Sequence, residues 1–194
     1  MERLVLTARF DRALQYATDL HRHQWRKVNG VPYVSHLFSV AALVLEDGGG
    51  EVEAIAALLH DAVEDQGGEA TLTEIRAQFG VAVATLVQGC TAPPRSPNQL
   101  WRNHKLGYLQ QMQQASPAVQ RILLADKLHN GRCLLRNLHK AGTAIWPVFS
   151  GSPAQVIWFY QQATACFLAA KPGWMATELA RVARALEVTV QRLG

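Results

Sequence analysis

The chain has 194 residues, 49% of them hydrophobic, and a formal net charge of +4, which suits one globular domain with its own core and leaves too little sequence for a second. No apolar stretch approaches the roughly 20 residues of a membrane span, and the opening "MERLVLTARF" is too soon charged for a signal peptide, so the expected location is cytoplasmic. Cys90, Cys133 and Cys166 lie far apart in odd number without a CxxC pair, which suggests neither a disulfide framework nor a thiolate metal site, and they are expected as core residues.

Apolar positions recur at spacings of three and four and no strand-like alternation is sustained, so the expected fold class is all-α. Gly and Pro supply the breaks, and the spacing predicts helices over 4–23, 34–47, 51–64, 72–79, 80–90, 98–115, 117–139, 153–170 and 174–188. Thr71 to Glu74 resembles a capping box opening the fourth of these, and Ser116-Pro117 reads as an N-cap followed by Pro at the first helical position. The stretch 92–99, "APPRSPNQ", is the best candidate for a mobile loop.

Charge is unevenly placed. Nine of the fifteen acids fall between positions 46 and 74, whereas positions 95 to 140 hold eight Lys or Arg and the single acid Asp126. No Lys/Arg-rich run of the kind that binds nucleic acid occurs. Basic residues facing an acidic cluster suit an anionic small molecule held beside a metal.

The acidic cluster centres on "HDAVED", residues 60–65, behind the apolar run 54–59. On a helix continuing to Gly67-Gly68, Asp61, Glu64 and Asp65 occupy the last turns, where the helix dipole disfavours acids by about 0.3–1 kcal/mol each. His60 and Glu64 would share one face, Asp61 and Asp65 another. A cation against the cluster accounts for that charge; a solvated helix end, with His60 in the core, is the plainer alternative. His36 lies in the first turns of a helix whose inward positions are read as Phe38, Val40 and Leu43. Asp126 interrupts a stripe of Ile122, His129/Asn130, Cys133 and Asn137. A buried carboxylate without a partner is very costly, and Lys127, adjacent in sequence, is expected to point elsewhere. An external cation is then the natural partner, a helix-pairing ion pair the alternative.

The order His36, His60-Asp61, Asp126 on separate helices resembles the HD superfamily of metal-dependent phosphohydrolases. "RKVNGVPYVSH" (26–36), "ALLHDAVED" (57–65), "FGVAVATLVQGCT" (79–91) and "LLADKLHN" (123–130) are similar to the hydrolase domain of RelA/SpoT-type alarmone enzymes and their small stand-alone homologues. The similarity spans roughly 10–140, with added helices over about 153–190, read as a single hydrolase domain over 1–194 with no synthetase part. Leu37, Gln66, Ala92, His104 and Gly131 depart from the family pattern and remove no ligand.

The resemblance implies hydrolysis of guanosine 3′,5′-bis(diphosphate) at its 3′ side with release of pyrophosphate. It implies His36, His60, Asp61 and Asp126 as metal ligands, and Glu64 and Asp65 as the pair that orients and deprotonates the attacking water. Arg26, Lys27, Lys105 and Asn130 match positions facing the nucleotide, and Tyr160 is a looser match. Mn²⁺ suits the two-imidazole, two-carboxylate set, with Fe²⁺, Zn²⁺ and Mg²⁺ as alternatives. Such a metal acts as a Lewis acid and acidifies water, while the cations neutralise the departing pyrophosphate. A phosphohydrolase for another nucleotide or phosphorylated metabolite is the runner-up, and a nucleotide- or metal-sensing module is the non-enzymatic alternative. The partner expected is a small anionic nucleotide rather than a membrane or nucleic acid, and a homo-oligomer is left open.

Overall fold

The structure is a computed structural model that describes residues 4–193. Its helices run in chain order as α1 (Ala8–Leu20), α2 (Val34–Glu46), α3 (Glu51–Leu59), α4 (Ala62–Gln66), α5 (Glu69–Cys90), α6 (Trp101–Gln114), α7 (Pro117–Ala141), a 3₁₀ helix (Gly142–Val148), α8 (Pro153–Ala170) and α9 (Trp174–Leu193). The fold is all-α. Among the described residues β-pairing is limited to one bridge between Trp25 and Pro32, and no helix is long and apolar enough to cross a membrane.

Local signals set most of the ends. The Thr7 hydroxyl accepts from the Arg9 N–H at 3.2 Å, so α1 begins later than the spacing predicts. Ser116 caps α7, with Pro117 at its first position. Ser152 and Gln155 form a reciprocal box at the start of α8. Helix α5 begins at Glu69, ahead of the Thr71 start predicted, and Thr71 is buried. The predicted break near residue 80 is a kink within α5, where Gly80 adopts φ 82°, a value favoured by glycine. Phe38 is a correction: it is 43% exposed, and Leu37 takes the inward position instead.

Helix α3 is the centre of the bundle, with every residue of 54–59 buried. Helix α7 runs beside it and packs against α2, α5, α6, α8 and α9, so 25 residues of one helix touch almost every other element. Part of the charge asymmetry is structural. Arg121 on α7 donates to Asp47 at 3.0 Å and to Glu53, and Lys171 reaches Asp47 at 2.9 Å. These pairs bind α7 and the end of α8 to the acidic segment.

Candidate metal centre

The predicted continuous helix 51–64 is broken. Helix α3 ends at Leu59, His60 and Asp61 form a turn, and Asp61 becomes the N-cap of α4 with Glu64 and Asp65 in its first turn. This reverses the dipole argument, because acids at a helix start are favoured. Tertiary bonds hold the turn. His60 Nδ1 lies 2.8 Å from the Ala57 carbonyl oxygen, and the Tyr33 hydroxyl donates to Asp61 Oδ2 at 2.6 Å.

The turn, α2 and α7 bring His36, His60, Asp61 and Asp126 together. Ligand atoms of His36, His60 and Asp126 lie within 4.8 Å of one another, all three residues buried. Asp61 Oδ2 is 3.1 Å from His60 Nε2 and 3.5 Å from His36 Nε2, and Asp126 Oδ1 is 3.2 Å from His36 Nε2. Both Nε2 atoms are buried without a hydrogen bond, although carboxylate oxygens stand beside them. An orphaned buried nitrogen is costly unless something else takes its lone pair. Donor atoms about 3 Å apart match the edges expected for metal–ligand bonds of about 2.0–2.2 Å. The residues present therefore fit a divalent cation.

Electrostatics agree. Burial opposes a proton on His60, but Asp61 and Asp126 outweigh it and hold its pKa well above the usual imidazole value: the carboxylates favour positive charge beside Nε2, which a bound divalent ion would supply in place of the proton. Burial likewise opposes charge on Asp126, yet Lys127 first, then the two histidines, keep its carboxyl well below the ordinary range.

Lys127 is a second correction. Its ammonium donates to Asp126 Oδ2 at 2.5 Å instead of pointing elsewhere, because a four-carbon stem can fold back along its own helix. Asp126 thus has an internal cation on one oxygen and turns the other toward the imidazoles, where the Asn130 amide also donates to it.

The two further acids separate. Glu64 is exposed in the first turn of α4, and its Oε2 accepts from the Ala92 N–H at 3.4 Å. Partial burial, then Asp61, raise its pKa. Asp65 is engaged elsewhere, accepting from the Gln24 amide at 2.7 Å, in a group that also holds Gln66 and His21. Gln66, one of the departures from the family pattern, is a member of that group. At the loop, His104 Nε2 lies 2.8 Å from the Pro93 carbonyl oxygen.

Beside the centre opens a cavity of about 360 Å³ whose lining includes Arg26, Lys27, Lys105, Asn130 and Tyr160, together with Tyr33 and Lys127. Among the described residues no Asp or Glu lines it. Arg26 donates to Asn130 at 2.5 Å and stacks over Tyr33. Lys105 lies 5.0 Å from the Phe159 ring, with Tyr108 and Trp101 also near, and has no ion-pair partner among the described residues. Burial first, then Lys127, push its pKa down to about 8. The far wall comes from Val148 to Gly151 and from α8, with Cys133 and Asn137 on the α7 side. Cys133 is accordingly a pocket residue rather than a core one, while Cys90 is buried.

Reasoning from sequence missed Tyr33 and Lys127, both of which touch a candidate ligand and line the cavity. "PYVSH" and "ADK" hold them next to or near the ligands; which way they point was the missing information.

The sequence profile of the HD domain matches residues 13–150. The chain belongs to the HD-domain family. This HD protein is 35% identical over 137 residues to the guanosine-3′,5′-bis(diphosphate) 3′-pyrophosphohydrolase MESH1 of Homo sapiens, covering 69% of this chain and 72% of that one. It is 37% identical over 126 residues to a probable guanosine-3′,5′-bis(diphosphate) 3′-pyrophosphohydrolase of Synechocystis, spanning 63% of this chain but only 16% of that protein's length. Among solved structures, a metazoan ortholog of SpoT that hydrolyzes ppGpp superposes with a TM-score of 0.75 at 26% identity, over 94% of this HD chain and 97% of the other.

Proposed function

We propose that this HD protein hydrolyses guanosine 3′,5′-bis(diphosphate) to GDP and pyrophosphate at a mononuclear centre held by His36, His60, Asp61 and Asp126. The observation that carries the reading is the junction of two unlike regions. Two buried imidazole nitrogens without hydrogen bonds face carboxylates, and directly beside them lies a basic cavity free of acids. Lys127, Asn130 and Tyr33 line the cavity while bonding to the carboxylates, so a phosphate end at the metal and a nucleotide body in the cavity are contiguous. The relatives named for this hydrolysis supply the choice of substrate.

When bound, a divalent cation supplies Lewis acidity toward the phosphoryl group and lowers the pKa of water; the mixed nitrogen and oxygen donors suit Mn²⁺. Water adds across the bond between the 3′ oxygen and its phosphorus. Glu64, with its pKa raised by partial burial and by Asp61, accepts the proton of that water. Lys105 and Lys127 hold the pyrophosphate as it separates, and Arg26 and Lys27 face the remaining phosphates. The aromatic wall of Tyr160, Phe159 and Trp101 suits a purine nucleoside and excludes water. Asp65 orients Gln24 and the turn rather than the water.

Incubating Mn²⁺-loaded protein with guanosine 3′,5′-bis(diphosphate) is expected to yield GDP and pyrophosphate in equal amounts. Absence of both products, with turnover of another phosphorylated compound, rejects the substrate and keeps the centre. Absence of any bound divalent ion after loading rejects the centre.

A further inference from the structure

His36 and His60 are supported in different ways. His60 Nδ1 faces the Ala57 carbonyl oxygen at 2.8 Å. A carbonyl only accepts, so the proton is fixed on Nδ1 and the lone pair of Nε2 is left for the centre. His36 has no such carbonyl. Its Nδ1 lies 2.7 Å from Nδ1 of His129, with ring centroids 4.9 Å apart, and an imidazole nitrogen can donate or accept. One of the two atoms carries the proton, and its choice decides whether His36 can serve as a ligand at all.

Two observations fix the choice. His36 Nε2 makes no hydrogen bond although Asp126 Oδ1 stands 3.2 Å away, so the carboxylate lies off the line an N–H there would take. Nε2 faces the other candidate ligands, so in the proposed centre it is the lone-pair nitrogen, and Nδ1 donates. On the other ring, a His129 that accepts through Nδ1 carries its own proton on Nε2, and that atom faces Cys133 Sγ at 3.5 Å, one turn farther along α7. The thiol sulfur is a weak acceptor. Each of the four ring nitrogens then has a consistent role.

We propose that His129 is a positioning residue of the metal centre: its Nδ1 accepts from His36 Nδ1–H, its Nε2–H is turned to Cys133, and His36 is thereby held in the tautomer whose Nε2 lone pair faces Asp61, His60 and Asp126. The inference rests on the metal-centre half of the proposed function and not on the nucleotide. Helix α7 carries both a candidate ligand, Asp126, and, three residues on, the support of a ligand from α2. One rigid element thereby sets two of the four donors.

Two measurements test it. In long-range ¹H–¹⁵N spectra of the Zn²⁺-loaded wild-type protein, His36 is expected as the Nδ1–H form and His129 as the Nε2–H form. A His129 proton on Nδ1, or a His36 proton on Nε2, overturns the proposal. In Mn²⁺ titrations, His129→Ala is expected to lower affinity by about 10–100-fold, and His129→Gln, whose amide oxygen can accept, to recover most of the loss. Folded His129→Ala protein binding Mn²⁺ like wild type overturns it. If His129→Ala does not fold, the wild-type spectrum decides. A wild-type protein that takes up neither metal defeats the metal centre and this proposal with it, whereas metal uptake with the wrong tautomers defeats the proposal alone.

Discussion

At the metal corner Asp126 meets Lys127, and the carboxylates of Asp61 and Asp126 stand beside the Nε2 atoms of His36 and His60. In the adjoining cavity, Arg26, Lys27 and Lys105 have no carboxylate partner among the described residues. The corner is buried and the cavity more open, with Lys27 exposed, but exposure is the lesser difference. The greater one lies in what completes each of them. The corner is closed on itself apart from two nitrogen lone pairs, which call for a cation; the cavity is left positive, which calls for an anion.

The sharpest break of this contrast is Asp126→Asn. It removes a donor from the corner and strands Lys127, so bound metal is lost and kcat/KM falls by at least about 10⁴-fold. Unfolding measurements should show a loss of about 3–5 kcal/mol, the usual consequence of leaving a buried charge unpaired. Full metal content in the Asp126→Asn protein contradicts the assignment.

Glu64→Gln tests the acids of α4, next in chain order to the metal corner. With metal content unchanged, kcat is expected to fall about 10²–10⁴-fold, while Asp65→Asn, whose carboxylate is engaged by Gln24, lowers it by less than about tenfold. Equal losses would put both acids on the reacting water.

In the cavity, Lys105 carries its charge below a pKa of about 8 and loses it above. KM for the nucleotide should therefore rise as pH passes through about 8. Lys105→Arg should flatten that rise, and Lys105→Met should raise KM by about 10–100-fold at neutral pH, the worth of a charged hydrogen bond. A wild-type KM that is flat from pH 7 to about 9 removes Lys105 from the phosphate site.

The smallest effect belongs to the seam behind the cavity. A Cβ at Gly131 would lie 3.0 Å from Tyr160 Cε1 and 2.9 Å from Val182 Cγ1, so Gly131→Ala displaces the Tyr160 ring or α9. We expect a loss of about 1–3 kcal/mol in stability, with KM raised and metal affinity unchanged. Gly131, a departure from the family pattern, is thus matched to the ring it packs against.

Much of this layout was legible in the chain. The 3 and 4 spacing gave an all-α fold, and Ser116 with Pro117 marked the start of α7 because caps and proline act locally. The turn at His60-Asp61 was not legible, since it contains neither Gly nor Pro and is held by Tyr33 and the Ala57 carbonyl. The 3₁₀ helix Gly142–Val148 and the wall after it read only as a break. Phe38 and Leu37 exchanged roles for a similar reason: adjacent apolar residues on one helix leave the buried face to the packing partner.

Sequence alone determined the helical element type, most of the breaks and the candidate site residues, because periodicity, turn chemistry and motif spacing are properties of neighbouring residues. Only the tertiary structure decided where those side chains point. Whether Lys127 turns back to Asp126, whether Asp65 serves Gln24, and which nitrogen of His36 faces the centre all depend on atoms brought close by α2, α3 and α7 meeting. A side chain's direction is settled by its partners in space, and those lie tens of residues away along the chain.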